Sequence, residues 1–147
     1  MSVNWSIVRH FRREEWAKQP DSVLPDLVYL LDEVREDADA PILIHVAADD
    51  TGHVENSGHY PTTATETLAV AVDFHIVGWS LLDQWLFAER YPFHGLGLYP
   101  HWGHPGLHAD LRRLGVEHPK MGRRWWRDAT GAYKPLDREL LTLLLAS

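Results

Sequence analysis

The sequence predicts an α+β domain built on a small, largely antiparallel central sheet with flanking helices. Its 147 residues, 45% hydrophobic and 24% charged, have the size and composition of one ordinary globular domain. Helical and strand-like segments both occur, but the helices precede and interrupt the strands without the regular alternation of a parallel sheet. No internal repeat or low-complexity linker divides the chain, so residues 1–147 are predicted to form a single domain.

The first third of the chain predicts two helices and one strand. A short helix is expected around Arg12–Lys18. A better helix follows in Val23–Glu36, because its apolar residues recur at spacings of three and four and therefore share one face. Pro25 suits the first turn of this helix, where its missing N–H is not needed. Ile42–Ala48 then predicts a strand, and residues 49–65 predict a long loop of the kind that often carries function.

The remaining elements are shorter, and several have clear end signals. Ser80 is a candidate N-cap for a helix that ends near Arg90, with Asp83 three residues on as an approximate capping box. The other predicted elements are the strands Leu68–Val77, Gly95–Tyr99 and Gly106–Arg112, a hairpin of Arg124–Asp128 with Ala132–Lys134, and an amphipathic helix at Leu136–Leu145.

Composition excludes several function classes. The chain has no cysteine, which rules out disulfide scaffolds, cysteine-ligated zinc and thiol catalysis. No apolar run approaches the roughly 18 residues that a membrane span needs. The first residues have no apolar stretch between their charges, so no signal peptide is expected and the protein is predicted to be cytoplasmic or phage-encoded.

The net charge of −7 is unevenly distributed. Residues 20–57 carry ten acidic residues and Arg35 as their one base, whereas residues 112–127 carry six basic residues and Glu117 as their one acid. A basic stretch can bind an anionic partner such as a nucleic acid. We favour a solvated face that balances the acidic half, and we expect a monomer with neither nucleic acid nor membrane as partner.

Two predicted strands each place carboxylates and imidazoles on one face. Because side chains i and i+2 of a strand share a face, Asp73 lies with His75, and His108 lies with Asp110. If the two strands pair, these groups converge into a ligand set suited to zinc, manganese or iron. The alternative is that they are solvent-facing polar positions of half-buried strands.

Other histidines and aromatic residues are assigned less specific roles. Five of the ten histidines lie in residues 94–118, a His-rich tract of a kind that can bind metal. Most of them are expected to be loop residues without a ligand role, and only His108 lies on a predicted strand. His45 is expected to be a hydrogen-bonded core histidine, and Gly95-Leu-Gly97 by itself is a turn signal. Beside the proposed site, one wall of a substrate cleft is predicted from Tyr99, Trp102 and His104, with Asp110 nearby and the 49–65 loop as the other wall.

The order of four segments over residues 40–127 resembles the zinc D-Ala-D-Ala metallopeptidase superfamily. These segments are Ser57-Gly-His-Tyr, Ala64-Thr-Glu-Thr-Leu-Ala-Val-Ala-Val-Asp73-Phe, Gly95-Leu-Gly-Leu-Tyr99-Pro and Leu107-His108-Ala-Asp110-Leu-Arg112. The family signature is Ser-x-His-x-x-Gly-x-Ala-x-Asp, a helix, a Gly-x-Gly-x-Tyr strand and a His-x-Asp strand. Arg124-Trp125-Trp126 also resembles the Arg-Trp ending of bacterial and phage members. The superfamily includes D-Ala-D-Ala carboxypeptidases and dipeptidases, phage L-alanyl-D-glutamate endopeptidases and the hedgehog fold.

The resemblance implies a divergent metal site. Asp73 and His108 match two ligands of the family, and Glu66 occupies the position of its first histidine. Two alternatives for this third ligand are His59, which belongs to a Ser-x-His echo, and His75. The usual catalytic base of the family falls on Pro105, so the catalytic residue is unassigned. The substrate-holding arginine turn of the family has no copy in residues 46–49.

The resemblance also implies a function. It predicts a hydrolase of the cell wall, a metallopeptidase of the carboxypeptidase or endopeptidase type that uses one divalent ion, zinc, on peptidoglycan stem peptides or other small peptides. The alternative is a catalytically degenerate, metal-free binding or structural domain on the same scaffold, of phage or prophage origin. A nucleic-acid binder that uses the basic stretch is a third hypothesis.

Overall fold

The computed structural model describes residues 2–16, 18–49, 59, 68–112 and 122–146. Its α-helices are α1 (Pro25–Ala38), α2 (Leu81–Ala88) and α3 (Arg138–Ala146). Its strands are β1 (Ile42–Val46), β2 (Ala71–Ile76), β3 (Gly95–Tyr99), β4 (Gly106–Asp110), β5 (Arg124–Arg127) and β6 (Tyr133–Lys134). The helix predicted around Arg12–Lys18 is a single 3₁₀ turn over Arg13–Trp16, and two further 3₁₀ turns lie at Trp5–Ile7 and Pro20–Ser22.

The six strands form one mixed sheet in the order β1-β2-β4-β3-β5-β6. All neighbouring pairs are antiparallel except β3 and β5, which run parallel. The predicted α+β class with a largely antiparallel sheet is therefore confirmed. The predicted neighbours β2 and β4 do pair, and their register places Asp73 directly opposite His108.

Helix α1 supplies one layer of the core. Pro25 lies at its start, and after Ala38 the helix is capped by Asp39, a residue with φ of 50° whose N–H donates to the carbonyls of Arg35 and Glu36. This left-handed ending closes the last turn of the helix. The predicted apolar stripe is buried in the same core as the apolar faces of β2 and β4, through Leu27, Val28, Leu31, Val34, Val72, Phe74, Leu107 and Ala109.

The opposite face of the central strands is polar but also buried. Asp73 is 8% exposed, His108 4% and Asp110 0%. The interpretation of these residues as solvent-facing positions is therefore wrong. Because burial of a charged group is costly unless it is paired, these side chains require partners, and they find them in one another.

Two glycines of β3 leave room for this polar face. A Cβ at Gly95 would lie 2.4 Å from Oδ2 of Asp110, and a Cβ at Gly97 would lie 2.4 Å from the ring of Trp125. The register sets Asp73, His108, Gly97 and Trp125 side by side across four adjacent strands. The two glycines are thus strand residues that accept bulky neighbours, and their interpretation as a turn signal is wrong.

Replacing Gly97 with alanine is expected to destabilise the fold. The added methyl group would meet the ring of Trp125, which is 1% exposed and has little room to move. Overpacking of this kind costs about 1–3 kcal/mol of unfolding free energy, measurable by urea denaturation. The matched control is Gly103→Ala, because nothing lies within 4 Å of a Cβ there. Equal stability of the two variants would contradict this packing.

Candidate metal centre

Three buried side chains converge at the centre of the polar face. Nε2 of His59 lies 3.2 Å from Oδ1 of Asp73, and Nδ1 of His108 lies 3.1 Å from the same oxygen. One ligand atom from each residue can be chosen so that all three lie within 4.8 Å of one another. Asp73 and His108 were both predicted from strand alternation, whereas His59 joins them from outside the sheet.

His59 is fixed by residues that follow strand β1. Its Nδ1 lies 3.0 Å from the carbonyl oxygen of Ala47, and its own carbonyl accepts the N–H of Asp49 at 2.8 Å. Because a carbonyl oxygen can only accept, Nδ1 of His59 donates to Ala47. Nε2 is therefore the nitrogen that faces Asp73 and that is placed to bind a metal ion.

His108 is fixed by a carboxylate behind it. Its Nε2 lies 2.8 Å from Oδ2 of Asp110, which leaves Nδ1 on the side of Asp73. Asp110 in turn accepts the N–H of Gly95 at 3.0 Å and is paired with Arg112 at 3.3 Å. A carboxylate that holds the far nitrogen of a ligating imidazole sets its tautomer and raises its basicity. Asp110 therefore supports His108, and it is not among the residues that line the cavity described below.

The electrostatics of the metal-free cluster favour an ionised Asp73 and a protonated His108. Burial acts to raise the pKa of Asp73, but the neighbouring His59 and His108 outweigh it and hold that pKa well below its ordinary range. Burial likewise opposes a proton on His108, yet Asp110 and Asp73 raise the pKa of His108 to about 9. The metal-free cluster thus holds an imidazolium between two carboxylates, and a divalent ion would replace that proton.

The metal-free protein is expected to lose stability at alkaline pH. The folded-state pKa of His108, about 9, lies above its ordinary value of 6.5. The proton on His108 therefore stabilises the fold fully below pH 6.5, and this contribution is lost as pH rises through 9. The unfolding free energy should fall by up to about 1.4 kcal/mol per pH unit in that window. Urea denaturation in the presence of a chelator measures it, and a flat profile for the wild type would contradict it.

The donor set fits a divalent ion of the zinc type. Two imidazole nitrogens and one carboxylate oxygen are a three-residue set found in catalytic zinc sites, where a fourth position stays open to water or substrate. Both histidines have their second nitrogen held by a partner, which pre-orients the ligand atoms. The three residues can therefore hold one metal ion. Glu66, the predicted third ligand, lies outside the described residues.

A cavity of about 540 Å³ opens on the cluster. Besides the three cluster residues, it is lined by His45, Val46, Tyr99, Trp102, Gly103, His104, Arg127 and Tyr133. Tyr99, Trp102 and His104, predicted as one wall of a substrate cleft, all line this cavity, and Tyr99 stacks on Trp102 with ring centroids 4.1 Å apart. Of the opposite wall predicted from residues 49–65, only Asp49 and His59 are among the described residues.

A second group of histidines lies beside this wall. Nε2 of His45 is 2.8 Å from Nδ1 of His75, and the rings of His75 and His104 stack with centroids 5.0 Å apart. His75 thus belongs to this second group, and the structure does not bring it into the candidate metal cluster. His45 was expected in the core, but its side chain is exposed on the cavity. No local sequence signal distinguishes this position from a core histidine.

Much of the basic stretch is engaged within the domain. Arg124 pairs with Glu89 at 2.8 Å, Arg123 donates to the carbonyl of His94, and Arg112 pairs with Asp110. None of these three contacts is made with residues 20–57, so the predicted balancing of the acidic half stays a prediction. Arg127 differs from them because it lines the cavity of the cluster.

The chain matches no protein-family model, and comparisons with curated proteins and with solved structures likewise gave no match. None of the helices in the described part of the chain has the length and apolar character needed to span a bilayer.

Proposed function

We propose that this domain is a metal-dependent peptidase that hydrolyses an amide bond in peptidoglycan stem peptides. The observation that carries the proposal is the buried set of His59, Asp73 and His108, with both imidazoles oriented, at the base of an open cavity. Its geometry supports a three-ligand hydrolytic site, and the resemblance of the sequence to the D-Ala-D-Ala metallopeptidases supports the substrate class.

In this proposal the metal cluster activates the reacting groups, and other residues of the cavity bind the substrate. His59, Asp73 and His108 would hold a divalent ion, and such an ion would supply Lewis-acid activation of the scissile carbonyl and of a water molecule. Burial and the charge of Asp73 raise the pKa of Tyr99 well above its ordinary value, so its phenol stays protonated. Arg127, which lies over the ring of Tyr133 at 5.6 Å, supplies a permanent cation on the cavity wall. It is suited to the carboxylate of a stem peptide.

The test combines metal analysis with peptide hydrolysis. Purified protein should contain about one zinc ion per chain by elemental analysis, or bind one when it is supplied. The zinc-loaded protein is then incubated with peptides ending in D-Ala-D-Ala and with peptides containing L-Ala-D-Glu, and the products are identified by mass spectrometry. Cleavage that stops on chelation and returns with zinc supports the proposal. Absence of cleavage in every peptide refutes it.

A catalytically inactive binding domain is the second candidate. The observation that favours it is Pro105, which stands at the position of the usual acidic base of the family and cannot accept a proton. Asp73 is the one carboxylate among the described residues that line the cavity, and it is a member of the metal cluster. A protein that binds zinc and binds stem peptides in calorimetry, yet leaves them intact, would support this candidate.

A further inference from the structure

We infer that His45 is the proton acceptor of this site and that His75 is the residue that positions it. The inference rests on the proposed peptidase function and extends it to a catalytic residue that the resemblance does not supply. Water attack on an amide requires a group that removes a proton from water and later delivers one to the leaving nitrogen. Pro105 stands at the usual position of the base, and the described part of the cavity wall offers other groups for this role.

The described lining residues leave two candidates for a neutral-pH base. Asp73 is assigned as a ligand, Tyr99 keeps its proton and a guanidinium such as that of Arg127 has no lone pair to accept one. Among the described lining residues outside the metal cluster, the imidazoles are those of His45 and His104.

A bulge in β1 turns His45 toward the site. Ile44 pairs with Phe74 and Val46 pairs with Asp73, so His45 is an extra residue between two successive positions of β2. Such a bulge changes the direction of a side chain and is common next to active sites. As a result both His45 and Val46 line the cavity, next to the strand that carries Asp73.

His45 is also the better oriented of the two imidazoles. Its Nε2 is 2.8 Å from Nδ1 of His75, which is the base-and-orienter arrangement of hydrolytic sites. The His45 ring is thus oriented by a hydrogen bond to His75. The contact between the His104 ring and His75 is a stacking contact. If Nε2 of His45 donates this bond, its Nδ1 keeps the lone pair needed to accept a proton.

The groups around His45 keep it neutral. Burial lowers the pKa of His45, the charge of Asp73 raises it and His104 lowers it, and the net direction is downward. His75 on β2 and Trp102 in the loop before β4 complete its surroundings, with ring centroids 4.9 and 5.1 Å away. A ring that is unprotonated at neutral pH is ready to take a proton.

In the proposed reaction His45 accepts one proton and later releases it. The water oxygen bonds to the carbonyl carbon, the carbonyl electron pair moves to its oxygen, and one water proton passes to Nδ1 of His45. The C–N bond then breaks, and the same proton passes from His45 to the leaving amine. The second water proton leaves with the new carboxyl group, so His45 ends unprotonated, as it began.

The first experiment measures the tautomer of His45 without any turnover. Long-range ¹H–¹⁵N spectra of ¹⁵N-histidine-labelled, metal-free protein at pH 7 report which nitrogen carries the proton, and His45→Gln assigns the signal. The expected result is a neutral ring protonated at Nε2. A ring protonated at Nδ1, or at both nitrogens, overturns the assignment.

The second experiment measures hydrolysis by the zinc-loaded protein. His45→Gln should lower kcat about 10²–10⁴-fold, leave the zinc content at the wild-type level and leave KM within a few-fold. It should also remove the acidic limb of the pH profile of kcat, which a purely structural role would not do. The matched control is His10→Gln, because the His10 ring lies 3.7 Å from Glu36 on α1 and does not line the cavity.

The outcomes separate this inference from the proposed function. If the wild type cleaves the peptides and His45→Gln cleaves them as fast as His10→Gln, the base assignment is overturned and the peptidase proposal stands. If the wild type cleaves none of the peptides, the peptidase proposal fails, and the base assignment fails with it.

Discussion

Replacing Asp73 with asparagine is expected to abolish metal retention. Asp73 faces both candidate histidine ligands, at 3.2 and 3.1 Å, and is the one carboxylate of the cluster. Asparagine keeps the shape of the side chain but removes the negative charge that a divalent ion requires. Because loss of a residue that only supports a ligand costs 10–100-fold in metal affinity, we expect loss of a ligand to cost more than about 100-fold. Elemental analysis after dialysis and zinc titration measure the effect.

The control for this variant is Asp83→Asn. Asp83 is exposed in the first turn of α2, so the substitution makes the same chemical change away from the cluster. Thermal unfolding of both variants verifies that each still folds. Retention of one zinc ion per chain by Asp73→Asn would end the metal hypothesis, and the case for catalysis would end with it.

Replacing His59 with alanine is the next largest expected effect, and it identifies the third ligand. We expect His59→Ala to lose zinc as Asp73→Asn does, because Nε2 of His59 is aimed at Asp73 by the Ala47 carbonyl. Glu66→Gln should retain zinc, since three protein ligands already complete a site of the catalytic type. Both variants are measured by zinc titration under the same conditions.

The two variants together distinguish the possible ligand sets. Loss of zinc by Glu66→Gln with retention by His59→Ala would restore the assignment made from motif spacing. Loss by both would show a four-residue site. His94→Gln serves as a control for a buried histidine that lies outside the cluster.

Strand alternation predicted the sheet part of the site because that part is set by short-range geometry. Asp73 and His108 lie on neighbouring antiparallel strands, and any register that buried both apolar faces would put their polar faces on one side. The burial of that polar face could not be predicted in the same way. It depends on contacts with segments outside the paired strands, such as His59 at 3.2 Å from Asp73, which a period of two does not encode.

The third ligand is a different case, because its position depends on a contact between distant segments. Motif spacing selects Glu66, seven residues before Asp73, whereas His59 lies fourteen residues before it. His59 reaches the cluster because residues that follow β1 hold both its ring and its carbonyl. The bulge that exposes His45 is equally absent from the local pattern, since it exists only relative to the pairing of β1 with β2.

The attachment of His59 to residues 47–49 has a consequence for how such a domain can diversify. Asp49 and His59 are joined by a backbone hydrogen bond of 2.8 Å, so the two residues that flank a segment of nine are held together. Doubling the number of residues between Asp49 and His59 would add only about 0.6 kcal/mol to the entropic cost of loop closure. His59 would stay in place, because Ala47 and Asp49, which hold it, lie outside that segment. Residues 50–58 can therefore change in number while the contacts that hold His59 to Ala47 and Asp49 are kept.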